Sequence, residues 1–112
     1  VEDDSNNALY LEEIMRDYFS KVYVVGTGLD AIKLVQKQSI DLVLMDVRLP
    51  DISGYEATKT ILQNLPGMKI IAQTAYAASG ERLRALDAGC VDYISKPAKR
   101  DQLLSVMSQY LK

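Results

Sequence analysis

Leu42-Val-Leu-Met-Asp46 is the stretch that decides how the chain is read. Four apolar residues in a row, at strand length, suit a strand covered on both faces, the kind found in parallel sheets packed between helices. Working outward, Val22-Tyr-Val-Val25 is β-branched and aromatic, stops at Gly26, and reads as another strand. Lys69-Ile-Ile-Ala-Gln-Thr74 and Val91-Asp-Tyr-Ile-Ser95 read as two more. Helical spacing fills the intervals. Ala8, Leu11, Met15 and Tyr18 recur on one face, with Ser5 or Asn6 as N-cap, and Ala31, Leu34, Val35 and Gln38 do so after Gly28. Ala57, Ile61 and Leu65 form a third helix ended by Pro66-Gly67, and Leu83, Leu86 and Asp87 a fourth ended by Gly89. Leu103, Met107 and Tyr110 mark the last, which starts between Lys99 and Asp101.

Alternation of strands and helices implies parallel strands joined by right-handed crossovers, since parallel neighbours need long connections. A first strand just before Glu2 would complete a five-stranded doubly wound sheet. Only Val1 stands ahead of the acids, so the expectation is a single domain over residues 1–112 whose first strand is truncated, within a longer polypeptide or one with an unseen leader. Sheets of this kind bind ligands at the carboxyl ends of their strands.

Length and composition narrow the rest. At 112 residues the chain holds one core. Thirteen basic against fifteen acidic residues leave a net charge of −2, which makes no electrostatic case for nucleic acid. No apolar run approaches the roughly 18 residues that span a bilayer, so no membrane contact is expected. A single cysteine and the lack of a secretory signal point to a cytoplasmic setting. The chain has no histidine, which excludes Cys-His catalysis and histidine-bound zinc.

The strand ends carry Glu2, Asp3 and Asp4, then Asp46, Thr74 and Lys96. Each is ordinary alone: a solvated acid, a strand threonine, a surface lysine. Together they bring carboxylates, a hydroxyl and an ammonium to one edge of the sheet. Crowded carboxylates raise one another's pKa unless a cation sits among them, and Mg2+ is the hard, oxygen-seeking ion suited to the place. A carboxylate can then act as nucleophile and become an aspartyl phosphate. The charge that spreads over the phosphoryl oxygens in transfer is met by Mg2+, by the Lys96 ammonium and by the Thr74 hydroxyl.

These residues resemble the receiver domains of response regulators and hybrid histidine kinases, across essentially the whole chain. Glu2-Asp3 resembles the family's acidic pair, and Asp46-Val-Arg-Leu-Pro-Asp-Ile-Ser-Gly54 its phosphoacceptor loop. Thr74-Ala75 resembles its switch hydroxyl, and Ser95-Lys96-Pro97 its lysine and a following cis proline. Ala72-Gln-Thr-Ala-Tyr-Ala77 and Ala88-Gly-Cys-Val-Asp-Tyr-Ile-Ser-Lys-Pro97 look closer to receivers fused to sensor kinases. The resemblance implies a flavodoxin-like sheet of order 2-1-3-4-5 with helices on both faces. It implies that Asp46 accepts phosphate from a histidine kinase or histidine phosphotransfer protein, and that the domain takes part in its own phosphotransfer and autodephosphorylation. It implies Mg2+ held by Asp3, Asp46, Glu2 through water and the Arg48 carbonyl, and a phosphoryl group held by Thr74 and Lys96. Tyr93 matches the aromatic switch that turns inward as Thr74 moves, altering the surface of the last helices and strand and leaving a homodimer through them open. Arg48 and Tyr76 are bulky beside the acceptor and would shield it from water.

Three rivals stand beside this reading. Gly26-Thr-Gly-Leu-Asp-Ala31 fits G-x-G-x-x-A after a strand, with Asp46 at the next strand end, as in a Rossmann-type dinucleotide module using Gly26, Gly28 and Asp46. That reading leaves Glu2, Asp3, Thr74 and Lys96 without a use. A haloacid dehalogenase-type phosphatase needs a second acid two residues after the nucleophile, where this chain has Arg48. The third is a receiver kept as a binding module that is never phosphorylated, against which an intact Asp46 and Lys96 argue.

Overall fold

The computed structural model describes residues 1–75 and 80–111. Three parallel strands, β1 (Val43–Asp46), β2 (Ile70–Thr74) and β3 (Asp92–Ser95), lie in the order β1-β2-β3. Asp46 pairs with Gln73 and Gln73 with Ile94, so the chemically interesting residues all fall at one end. Five helices connect or flank the strands: α1 (Ser5–Arg16), α2 (Gly28–Lys37), α3 (Gly54–Asn64), α4 (Glu81–Ala88) and α5 (Arg100–Tyr110). Helices α1 and α5 press Leu11, Ile14, Leu103 and Met107 onto Leu44, Ile71 and Ile94. Helices α2, α3 and α4 press Ala31, Val35, Ala57, Ile61 and Ala85 onto Met45, Ile70 and Ala72 on the other face. Continuous apolar strands follow from this two-sided cover, since successive side chains enter opposite cores. Among the described residues no helix is long and apolar enough to cross a membrane.

Two local expectations are corrected. Helix α1 is capped by Asp4, not by Ser5 or Asn6: its carboxylate accepts the Asn6 and Asn7 backbone N–H groups at 2.9 and 3.4 Å. All three are good capping residue types, and the choice fell to the one whose backbone is still extended, φ −78° and ψ 114°. The stretch Val22–Val25 forms no strand ladder among the described residues. A strand is defined by its ladder, and what the described residues show here is one bond from the Val1-Glu2 dipeptide: the Glu2 N–H donates to Val25 O at 2.9 Å. On its other side the same dipeptide bonds to β1, Val1 N to Leu44 O at 2.6 Å and Asp46 N to Val1 O at 3.1 Å. Gly89 ends α4 in the left-handed region (φ 107°), as its place after Asp87 and Ala88 led one to expect.

The loop after β1 holds α2 in place through Asp51. Its carboxylate accepts the backbone N–H groups of Gly28 and Leu29, both at 2.9 Å, at the positive end of that helix. Desolvation pushes the Asp51 pKa up, but the backbone N–H groups of Leu29, Gly28, Ile52 and Asp51 together outweigh it and hold it below the ordinary 3.8. A depressed folded-state pKa stabilises above the unfolded value and is lost as pH falls. Asp51→Ala is therefore expected to unfold at lower urea than the parent at pH 7, with the gap closing below about pH 4. An equal gap at pH 3 and pH 7 would mean that the carboxylate charge contributes nothing there.

Candidate functional site

Asp46 is the last residue of β1, and its side chain is only 5% exposed. The chain then turns sharply: Val47 N bonds to Gln73 O at 3.0 Å and Gly54 N to Val47 O at 2.8 Å, which brings the start of α3 against the Asp46 backbone. Only glycine fits at the return, because a Cβ on Gly54 would lie 2.1 Å from Asp46 O. Lys96 follows β3, its N–H bonded to Thr74 O at 2.7 Å, and the Lys96–Pro97 peptide is cis, as the resemblance implied.

From these anchors the charged groups meet. Lys96 Nζ lies 2.8 Å from Asp46 Oδ2 and 3.0 Å from Glu2 Oε1. The Arg48 backbone N–H donates to Asp46 Oδ1 at 3.2 Å. Glu2, buried with a 3% exposed side chain, also accepts from the Asn7 amide and from Asp4 N at 3.2 Å. Asp3 is exposed, yet one oxygen from each of Glu2, Asp3 and Asp46 lies within 4.8 Å of the others. Oxygens at that spacing are a donor set for a hard divalent cation.

The two buried carboxylates divide the burden unequally. Burial pushes Asp46 up to about 6, opposed by Lys96 and aided by the neighbouring Glu2 charge. Burial pushes Glu2 up, but the Asn7 amide, its coupling to the neighbouring Asp46 carboxyl, the Lys96 ammonium and the Asp4 backbone N–H outweigh it and leave its pKa lowered. Glu2 is the better furnished and stays ionised; Asp46 is the one left short of positive charge. The Lys96 ammonium loses hydration by burial but gains more from its two carboxylates, so its pKa is raised.

The structure thus brings Glu2, Asp3, Asp46 and Lys96 together. Thr74 is buried at the end of β2. By strand alternation it shares with half-buried Tyr93 the face packed on α2, α3 and α4, opposite to Asp46. Arg48 is exposed on the loop, and Tyr76 lies outside the described residues. Asn7, which steadies Glu2, was not read from the sequence. An asparagine in a first helical turn looks like any surface residue until the fold aims it.

A parallel α/β sheet with an aspartate ending one strand, a lysine following another and an acidic pair between them defines a receiver-type α/β domain. The chain belongs to the response regulator receiver domain family, whose model matches residues 1–108, and is thereby a receiver domain of two-component signalling. It is 34% identical over 115 residues to the sensor protein GacS of Pseudomonas syringae pv. syringae, covering 98% of this chain but 13% of GacS. It is 33% identical over 113 residues to the polar-differentiation response regulator DivK of Brucella ovis, covering 99% of this chain and 92% of DivK. The crystal structure of the receiver domain of a Pseudomonas aeruginosa sensor histidine kinase superposes with a TM-score of 0.90 at 37% identity. That match covers 99% of this chain and 93% of the other, and the other has a magnesium ion coordinated in its active-site cleft. With these likenesses the fold is a flavodoxin-like parallel sheet with helices on both faces.

Proposed function

We propose that Asp46 is the phosphoacceptor of a two-component phosphorelay in the cytoplasm, phosphorylated by a histidine kinase or histidine phosphotransfer protein. The observation that carries this reading is a buried aspartate whose one strong partner is the Lys96 ammonium at 2.8 Å. An Asp46 oxygen attacks phosphorus, the O–P bond forms as the histidine N–P bond breaks, and the electron pair stays on the imidazole nitrogen, which takes up a proton. Lys96 follows the negative charge onto a phosphoryl oxygen, and the Thr74 hydroxyl binds another. Glu2, Asp3, Asp46 and the Arg48 carbonyl are the groups that would hold Mg2+, and the close carboxylate set around a cation-poor Asp46 fits such an ion. Bound there, Mg2+ supplies charge neutralisation to the developing phosphoryl oxygens. Thr74 and Tyr93, sharing one face of the sheet, couple the phosphoryl group to the surface of α4, β3 and α5.

The same reading includes a sheet of five strands in the order 2-1-3-4-5. Its support is the bonding of Val1-Glu2 to Val25 on one side and to Leu44 and Asp46 on the other, the place of a central strand. A groove of about 700 Å³ bordered by Val1 and Glu2 has Leu11, Met15, Val25, Ala31, Val35 and Leu44 in its lining, apolar side chains of the kind that cover a central strand.

The dinucleotide alternative loses its anion site. A pyrophosphate would need the N–H groups at the start of α2, and the Asp51 carboxylate takes them. The direct test is mass spectrometry after incubation with acetyl phosphate and Mg2+. The expected result is one added phosphate on the parent chain and none on Asp46→Asn. Phosphate on both, or on neither, would remove Asp46 from this role.

A further inference from the structure

Gln73 is fully buried at 0% exposure, yet among the described residues neither its amide nitrogen nor its amide oxygen has a hydrogen-bond partner. Buried amides are nearly always paired, because burial strips their water without replacing it. A leucine would fill similar space at no such cost. The position of Gln73 is equally specific. It is in register with Asp46 on one side and Ile94 on the other, so all three side chains project from the same face, with Lys96 two residues beyond Ile94. Neighbouring strands lie about 4.8 Å apart, within the span of a glutamine side chain. In the resting site Asp46 Oδ2 is taken by Lys96 Nζ.

We propose that Gln73 is a positioning residue whose amide N–H pairs with the Asp46 oxygen that Lys96 leaves once the aspartate is phosphorylated. This rests on the phosphoacceptor reading above. The chemistry leaves room for it: when Lys96 turns to a phosphoryl oxygen, the Asp46 oxygen it released sits buried without that donor. Gln73 is an unused donor one strand away. The resting state leaves both ends of the amide unmatched and the phosphorylated state matches its N–H, so this residue biases the two-state equilibrium toward the phosphorylated form.

The test compares the parent chain with Gln73→Leu, and with Gln73→Met in case the branched side chain packs poorly. Three quantities are measured: urea unfolding without metal, Mg2+ affinity, and affinity for beryllofluoride, a phosphoryl mimic, in the presence of Mg2+. The expected result is unchanged or higher resistance to urea, unchanged Mg2+ affinity, and roughly tenfold weaker beryllofluoride binding, the size of one hydrogen bond to a charged site. Lower resistance to urea in both variants would show that the amide is already satisfied at rest and overturn the proposal. Equal beryllofluoride affinity would overturn it as well. A parent chain that accepts no phosphate from acetyl phosphate would instead bring down the phosphoacceptor reading and this residue's role with it.

Discussion

Lys96→Met is expected to cost the metal-free domain about 2–3 kcal/mol of stability at pH 8, and less at pH 5, where Asp46 is protonated and the ionised Glu2 is the one carboxylate of the two that still misses the ammonium. Removing one member of a buried ion pair leaves the other uncompensated, a change worth roughly 3–5 kcal/mol when burial is complete. The lysine side chain here is 21% exposed, so the lower figure applies. What is left behind is two carboxylates whose side chains are 3% and 5% exposed. The sign with pH follows from Asp46. Its folded-state pKa of about 6 is above the ordinary 3.8, so its contribution is favourable when protonated and is lost as pH rises through 6. Taking away the ammonium raises that pKa further, and the gap between variant and parent opens on the alkaline side. Millimolar Mg2+ should close much of the gap, because a divalent ion among the same oxygens replaces the missing charge. Phosphorylation by acetyl phosphate should nonetheless fall by about a hundredfold, the usual loss for one preorganised donor to a transferring group. Urea titrations at pH 5 and pH 8, with and without Mg2+, decide the stability claim. Equal stability of variant and parent at pH 8 without metal would mean that Lys96 does not hold the carboxylates together.

Gly54→Ala should be the most damaging single methyl in the molecule. The added Cβ would stand 2.1 Å from Asp46 O and 2.9 Å from Val47 Cα, both backbone atoms, so no side chain can swing aside. Overpacking usually costs about 1–3 kcal/mol, and more where relaxation must move the main chain. We expect about 3 kcal/mol in urea unfolding. The chain must open between Asp46 and α3 to make room, which drags the acceptor from Lys96. Phosphate uptake should therefore fall in whatever fraction still folds. Gly67→Ala is the control, since a Cβ there meets nothing within 4 Å. It should stay within about 0.5 kcal/mol of the parent. Comparable losses in the two variants would point to lost backbone freedom and not to the close approach.

Much of this site was legible before any coordinates, for a specific reason. In a parallel sheet the functional edge is the set of residues after each apolar run, and an apolar run is visible without knowing its neighbours. Asp46, Thr74 and Lys96 were singled out that way, and Glu2 and Asp3 by their acidic cluster; the fold brings Asp46, Lys96, Glu2 and Asp3 together, while Thr74 ends β2 on the other face of the sheet. Gly54 was legible only through its resemblance to a loop pattern, because nothing local announces that its missing Cβ leaves space for the carbonyl of Asp46, eight positions earlier. Val22–Val25 shows the opposite failure. Its residues favour a strand, but a strand is made by a ladder of hydrogen bonds, and the described residues show no such ladder there.

Side-chain period and apolar run length are local properties, so the alternation of strands and helices and the edge that carries the acids were already written in the order of residues. The pairing of Lys96 with both Asp46 and Glu2, the Asp51 carboxylate on α2, the support of Glu2 by Asn7 and the buried, unpartnered amide of Gln73 emerged only in three dimensions. These contacts join residues as far as 94 positions apart. Their energies depend on how much water the fold removes from each group, which no single position encodes.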